Sequence, residues 1–301
     1  MWRVIDLGGS GYFLHMKHNS LLVEKEGQVT SIPFQDIHSI VCHGNGFRYS
    51  DDFFKQCLTN KIPVTFCDEQ HIPMGMLLPM LQHSEASKRI DLQLQSTQPK
   101  KKQAWKQIVS KKLSCQSQFL SVAGCAKESL RLKVLSSQVN SGDTTNKEAQ
   151  GARVYFKALY GKGFLRSDGD DEINGLLNYG YSILRSAVAR AVIECGLLPS
   201  IGIFHSNRIN PFCLVDDLME PLRPMVDSLV YRLAATKGIQ DGLSPSIKKD
   251  LISLTSVAVG FKKERCEFTF ALRLYVQSYI AFLSKESDAI QFPEHSYAWT
   301  L

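Results

Sequence analysis

The chain has 301 residues, 44% hydrophobic and 21% charged, with a formal net charge of +6 and a pI near 8.8. That is the composition of a soluble globular protein, long enough for one large or two modest domains. No apolar run approaches the ~18–20 residues of a membrane span, and Arg3, Asp6 and His15 interrupt any secretory signal, so a membrane or exported protein is excluded and a cytoplasmic one expected.

The eight cysteines never form a CxxC pair, which argues against a zinc ribbon or a disulfide scaffold and for reduced, mostly buried thiols. In chain order, YFLHMK, LLVEK, QVTSI and IHSIVC are short strand-like runs separated by the turn-prone HNS, EGQ and PFQD. SDDFFKQCLTN reads as a brief helix capped by Ser50, with Phe53, Phe54, Cys57 and Leu58 at helical spacing, and IPVTFCD returns to strand. The expected class is α+β: a β-rich N-terminal domain over 1–88, then an all-α helical domain over 89–301.

From Lys100 onward the apolar period is helical, beginning with Trp105, Ile108, Val109 and Leu113. Lys100, Lys101, Lys102, Lys106, Lys111 and Lys112 fall within thirteen residues that contain no acid. Such a run is either a solvated face or a surface for a polyanion. A short helix is expected over 145–160, closed by Gly161; Thr145 and Glu148 have capping-box spacing, which by itself explains Glu148 structurally. The residues from Ile173 to Val192 are apolar nearly all round, with Asp170 or Asp171 as cap and Gly196 as stop, and predict the buried central helix. Leu218, Leu222, Met225, Val226, Leu229 and Leu233 define another helix, and Phe268 to Tyr279 a last one, leaving 287–301 as a loose tail.

HSNRINPFCLVDDLMEPLRP, residues 205–224, concentrates polar groups in an apolar neighbourhood. Asn210-Pro211 predicts a turn before a helix start. Asp216, Asp217 and Glu220 share a helix face, where like charges call for a cation, either Arg223 or a divalent metal. Asp216 and Asp217 equally suit a helix N-terminus. Glu220 lies too far in for that, and Pro221 follows it, where a proline inside a helix costs about 3 kcal/mol. A lone His205 would be an ordinary core residue; beside carboxylates it makes an N/O set suited to Mn²⁺ or Mg²⁺.

Taken together, NKEAQGARVYF (146–156), INGLLNYGYSILRSAVARAVIECGLLPSIGIFHSN (173–207) and NPFCLVDDLMEPLRPMVD (210–227) resemble the CRISPR-associated Cas1 integrases, in particular the type II branch. The resemblance implies a metal-binding and catalytic triad of Glu148, His205 and Glu220, supported by Asp216, Asp217, Asn207 and Arg223. It departs at Ala149, Gly151 and Cys213, where the family usually has glycine, alanine and asparagine.

The implied activity is divalent-metal-dependent endonuclease and integrase chemistry, in which a 3′-OH of spacer DNA attacks a phosphodiester of the repeat. Implied partners are double-stranded DNA, a second copy through the β domain, and the small protein Cas2 in a heterohexamer. Lys100, Lys101, Lys102, Lys106, Lys111 and Lys112 then become candidate contacts to the DNA backbone. The alternative is a non-catalytic nucleic-acid-binding scaffold of the same fold.

Overall fold

The structure, a computed structural model, describes residues 3–68, 73–79, 85–168, 171–237 and 242–297. It is α+β, with a strand-rich N-terminal part followed by a helical one. The strands are β1 (Arg3–Ser10), β2 (Phe13–Lys17), β3 (Ser20–Lys25), β4 (Gln28–Pro33), β5 (Ile37–Asn45), β6 (Arg48–Tyr49), β7 (Val64–Cys67) and β8 (Pro73–Leu77). They form two sheets, ordered β1-β5-β7-β8 and β4-β3-β2-β6. In the first, β5 runs parallel to both β1 and β7. A central parallel strand is covered on both faces, and Ile37 through His43 are accordingly all buried. The expected helix is α1 (Asp51–Thr59), capped by Ser50 Oγ, which accepts from Phe53 N.

The helical part contains α2 (Ala86–Leu94), α3 (Gln98–Val122), α4 (Ala126–Ser137), α5 (Lys147–Tyr160), α6 (Glu172–Glu194), α7 (Cys213–Met219), α8 (Arg223–Lys237), α9 (Pro245–Ser253) and α10 (Phe268–Leu283). Between α9 and α10 it also carries a hairpin, β9 (Ala258–Phe261) with β10 (Glu264–Glu267), that helical periodicity does not signal. Asp171 caps α6 by accepting from Asn174 N. Being apolar on all sides, α6 is buried along its length and forms the axis of the core, packed by α8 and α10. It also joins the two parts: Ser186 hydrogen-bonds Thr65 of β7, and Arg190 donates to the His38 carbonyl of β5.

The stretch after α10 is packed, not the loose tail that its polarity suggests. Ile290 is buried and its N–H donates to Gln107, Glu294 and Gly260 exchange two backbone hydrogen bonds, and the ring of buried Tyr297 lies 5.8 Å from that of Phe119. Three spaced anchors hold this segment, a pattern without helical or strand period; residues 298–301 lie outside the described residues.

Gly180 sets the approach of α6 to α8, because a Cβ there would stand 2.5 Å from Val226 Cγ1. Gly180→Ala therefore destabilises by about 1–2 kcal/mol, the clash outweighing the ~1 kcal/mol gain in helix propensity. Urea unfolding checks this; a stabilised variant would mean that the α6–α8 contact is loose.

Candidate active site

Helix α5 begins at Asn146, whose left-handed backbone (φ 53°) is one that asparagine tolerates, and whose side chain accepts from Ala149 N. The Asp143 carboxylate accepts from Lys147 N at 2.8 Å and Glu148 N at 3.0 Å. The first-turn N–H groups are thus satisfied, and the capping box expected of Thr145 and Glu148 does not form. Glu148 instead turns toward α3, where Lys112 Nζ donates to its Oε1 at 2.7 Å. Gly151, three residues on, lets the helices touch at that point: a Cβ there would lie 2.1 Å from Leu113 Cδ2.

Lys112 is buried, and its Nζ stands 2.5 Å from Glu220 Oε2 as well. This corrects its expected place among the DNA-contacting lysines. At i+7 from Trp105 and i+4 from Ile108 it lies on the inward stripe of α3, so its ammonium points into the core. Its neighbours in the run point elsewhere: Lys102 and Lys106 are exposed, Lys101 and Lys111 are half-buried, and Lys100 Nζ lies 3.7 Å from the centroid of the Phe282 ring.

Glu220 opens a 3₁₀ turn, Glu220–Leu222, between α7 and α8. Pro221, lacking an N–H, suits this first-turn position. The carboxylate is buried, with Arg223 Nε 2.9 Å from Oε1. Burial pushes its pKa up, but Arg223 and Lys112 outweigh that and hold it at about 2. Burial likewise disfavours the Lys112 charge, which Glu220 and Glu148 more than restore, raising its pKa.

His205 sits on the loop between α6 and α7. Asp217, wholly buried on α7, organises that loop: Oδ2 accepts from Ile203 N at 2.6 Å and Phe204 N at 2.9 Å, and Oδ1 from His205 N at 3.3 Å and His205 Nδ1 at 2.5 Å. With Nδ1 carrying the proton, Nε2 is left as the lone-pair nitrogen. The hydrogen bond to Asp217 raises the imidazole pKa. Gly202 is required here, since a Cβ would meet the His205 carbonyl oxygen at 2.2 Å. Phe204 stacks on Trp105 with centroids 4.4 Å apart, and the His205 ring stands edge-on to Trp105. From α2, Gln93 exchanges hydrogen bonds with the backbone of Leu198 and also donates to Ile201 O.

Asp216 is engaged differently from Asp217. It takes two hydrogen bonds from Arg185, at 2.8 and 2.7 Å, and one from Asn210 Nδ2 at 2.7 Å, fixing the turn before α7. Asn207 is exposed; its Oδ1 accepts from Ile209 N, so it shapes the loop and does not reach Glu220's pair.

His205 and Glu220 line one cavity of about 310 Å³, together with Arg166, Arg185, Arg223 and Tyr181. Tyr181 OH donates to Asp227, which holds the ring over which Arg223 and Arg166 lie, 4.6 and 5.3 Å from its centroid. Arg166 is gripped by the neutral Asn174 and Asn178, so its positive charge faces the cavity with no carboxylate in its grip. Sequence reasoning foresaw Arg223 but missed Arg166, Arg185, Tyr181 and the role of Lys112. The last carried a signal, a lysine in register with an apolar stripe.

Residues 7–244 match the family model "CRISPR associated protein Cas1". The chain is 34% identical to the CRISPR-associated endonuclease Cas1 of Neisseria meningitidis serogroup C (strain 8013), over 97% of this chain and 96% of that protein. The chain belongs to the Cas1 family. The Neisseria relative fits the type II branch that the motifs resemble. Two solved structures share the fold: a casposase bound to integration product (TM-score 0.84, 17% identity, 98% of this chain and 95% of that one), and a Cas6-RT-Cas1–Cas2 complex (TM-score 0.78, 20% identity, 96% and 36%).

Two departures from the usual Cas1 motif acquire reasons. Gly151 makes room for Leu113, and the Cys213 thiol donates to the carbonyls of Asn207 and Asn210, bracing the His205 loop. Among the described residues, no three His, Cys, Asp or Glu side chains stand ready as a metal site. The donor set nonetheless fits a hard divalent cation. Glu148 and Glu220 already share one cation, the Lys112 ammonium, and His205, held through Nδ1 by Asp217, lines the same cavity as Glu220.

Glu220, held below its unfolded pKa, contributes stability that is present above pH 4.5 and is lost as pH falls toward about 2. The contribution is on the order of 3 kcal/mol. Urea titrations across that window should show Glu220→Gln with a correspondingly flatter pH dependence; parallel curves would contradict the buried pairing.

Proposed function

We propose that this chain is a divalent-metal-dependent DNA endonuclease and integrase of CRISPR adaptation, joining 3′-OH ends of spacer DNA to a repeat by transesterification. The observation that carries the reading is the pairing of half-buried Glu148 and buried Glu220 around one cation, with His205, its Nδ1 against Asp217, lining the same cavity as Glu220. In this reading Glu148, Glu220 and His205 Nε2 are the groups that would hold Mn²⁺ or Mg²⁺. When bound, that ion supplies Lewis acidity at the phosphoryl oxygens and lowers the pKa of the attacking hydroxyl.

The chain's own residues do the positioning. Asp217 keeps the proton on Nδ1 and orients the ring, acting through His205. Arg166 and Arg223, facing the cavity, offset the charge of a phosphodiester as it becomes pentavalent. The 3′ oxygen forms one P–O bond as the bond to the repeat's own 3′ oxygen breaks; the proton leaves the attacking hydroxyl and the departing oxygen gains one from solvent. Bond count is conserved, so no nucleotide cofactor is needed. The two hydroxyls among the described residues that line this cavity are already engaged, Tyr181 with Asp227 and Ser182 with the Tyr179 carbonyl, which supports direct transfer without a protein–DNA adduct.

The partners in this reading are protospacer and repeat duplexes, a second copy of the chain, and Cas2 in a heterohexamer in the cytoplasm. Two structural neighbours support it, a casposase bound to integration product and a Cas6-RT-Cas1–Cas2 complex. Among the described residues no helix is long and apolar enough to cross a membrane.

The test is strand transfer of a 3′-OH duplex into repeat DNA, with Mn²⁺, Mg²⁺ or EDTA, with and without Cas2. Products should require the metal and should fall at least about a hundredfold in His205→Ala. Undiminished transfer by His205→Ala, or transfer in EDTA, would sink the reading.

A further inference from the structure

Between α4 and α5 the surface opens into a cleft of about 420 Å³ lined by Arg131, Arg153, Lys157 and Lys162, with Glu128 as the one acid in its lining. Lys127, exposed one turn before Arg131 on the same side of α4, extends the same basic surface. Five cations less one carboxylate place four positive charges here, against +6 for the whole chain. Of the four cations at the candidate active site, Lys112, Arg185 and Arg223 are each locked to an acid, and Arg166 is held by Asn174 and Asn178. None of the five on this surface is held in an ion pair among the described residues. Like charges gathered around a single carboxylate repel one another, and folding gains nothing from the arrangement.

The placement is informative. Arg153 and Lys157 follow Glu148 on α5. Arg153 stands about 7.5 Å further along the axis, and Lys157 about 6 Å beyond it, close to two nucleotide steps of one strand. The cleft lies on the opposite side of α5 from Glu148 and from Ala152 and Phe156, which face the Glu220 pocket.

We propose that the α4–α5 cleft is a second contact surface for the DNA phosphate backbone, on the far side of α5 from the Glu220 pocket. This rests on reading the chain as a DNA-joining enzyme. It is distinct from the lysine run of α3 and draws on a surface that sequence periodicity did not single out.

The test compares full-length wild type with Arg131→Gln/Arg153→Gln/Lys157→Gln, measuring anisotropy of a labelled duplex over a KCl series, with thermal unfolding as the control for folding. Each lost phosphate contact should remove about 0.9 from the slope of log affinity against log salt, so the triple variant should be less steep by between about 2 and 3. If the triple variant unfolds, Arg153→Gln and Lys157→Gln singly should each remove about 0.9. A wild-type slope in a folded variant overturns the proposal and leaves the cleft to some other partner, such as an acidic protein. Wild type that shows no salt-dependent affinity for duplex overturns the DNA-joining reading and this proposal with it.

Discussion

A carboxylate taken out of water needs a cation or a full set of hydrogen-bond donors, and here one ammonium serves both buried Glu220 and half-buried Glu148. Lys112 reaches Glu148 at 2.7 Å and Glu220 at 2.5 Å, drawing together α3, α5 and the turn between α7 and α8. Breaking a buried pair by removing one partner typically costs 3–5 kcal/mol, because the other charge is stranded. The three elements are therefore placed by electrostatics as much as by packing, and the packing is cut to match. Gly151 brings α5 onto α3, and Pro221 sits in the 3₁₀ turn that presents Glu220 inward.

The His205 loop depends on a second buried acid that uses no cation of its own. Asp217 accepts three backbone N–H groups and the imidazole, so its charge is spread over four donors on one turn of chain. Trp105 and Gln93 then fix that loop to α3 and α2. The imidazole consequently has little freedom in orientation, which a ligand or a proton acceptor requires. Asp216, next in sequence, is spent on Arg185 and the Asn210 turn instead. Adjacent acids thus divide into one that holds the imidazole and one that holds the loop's exit.

Elements with a long uninterrupted period were legible in sequence: α6, α10 and the Trp105 stripe of α3 are where their apolar residues indicate, and Ser50 and Asp171 cap the helices that they precede. The α+β order follows from those. Features set by a tertiary partner were not. Thr145 and Glu148 satisfy a capping-box spacing, yet Asn146 with Asp143 takes the role, because asparagine can enter the left-handed region one residue later. Lys112 looks like its neighbours until Glu148 and Glu220 are brought to it. Arg166 shows nothing in sequence, since its partners are two neutral amides on α6. The grouping of Glu148, His205 and Glu220 came from motif resemblance; spacing alone left Glu148 a cap and His205 a core residue.

The central proposal is that Glu148, Glu220 and His205 Nε2 would together hold one divalent cation, where Lys112 now bridges the two carboxylates. Its most direct test is electron spin echo spectroscopy of Mn²⁺ titrated into the protein. The account predicts ¹⁴N modulation from a coordinated imidazole in wild type, absent in His205→Gln, with weaker Mn²⁺ binding in Glu148→Gln. Mn²⁺ bound without nitrogen coupling, or with coupling that survives in His205→Gln, would contradict it.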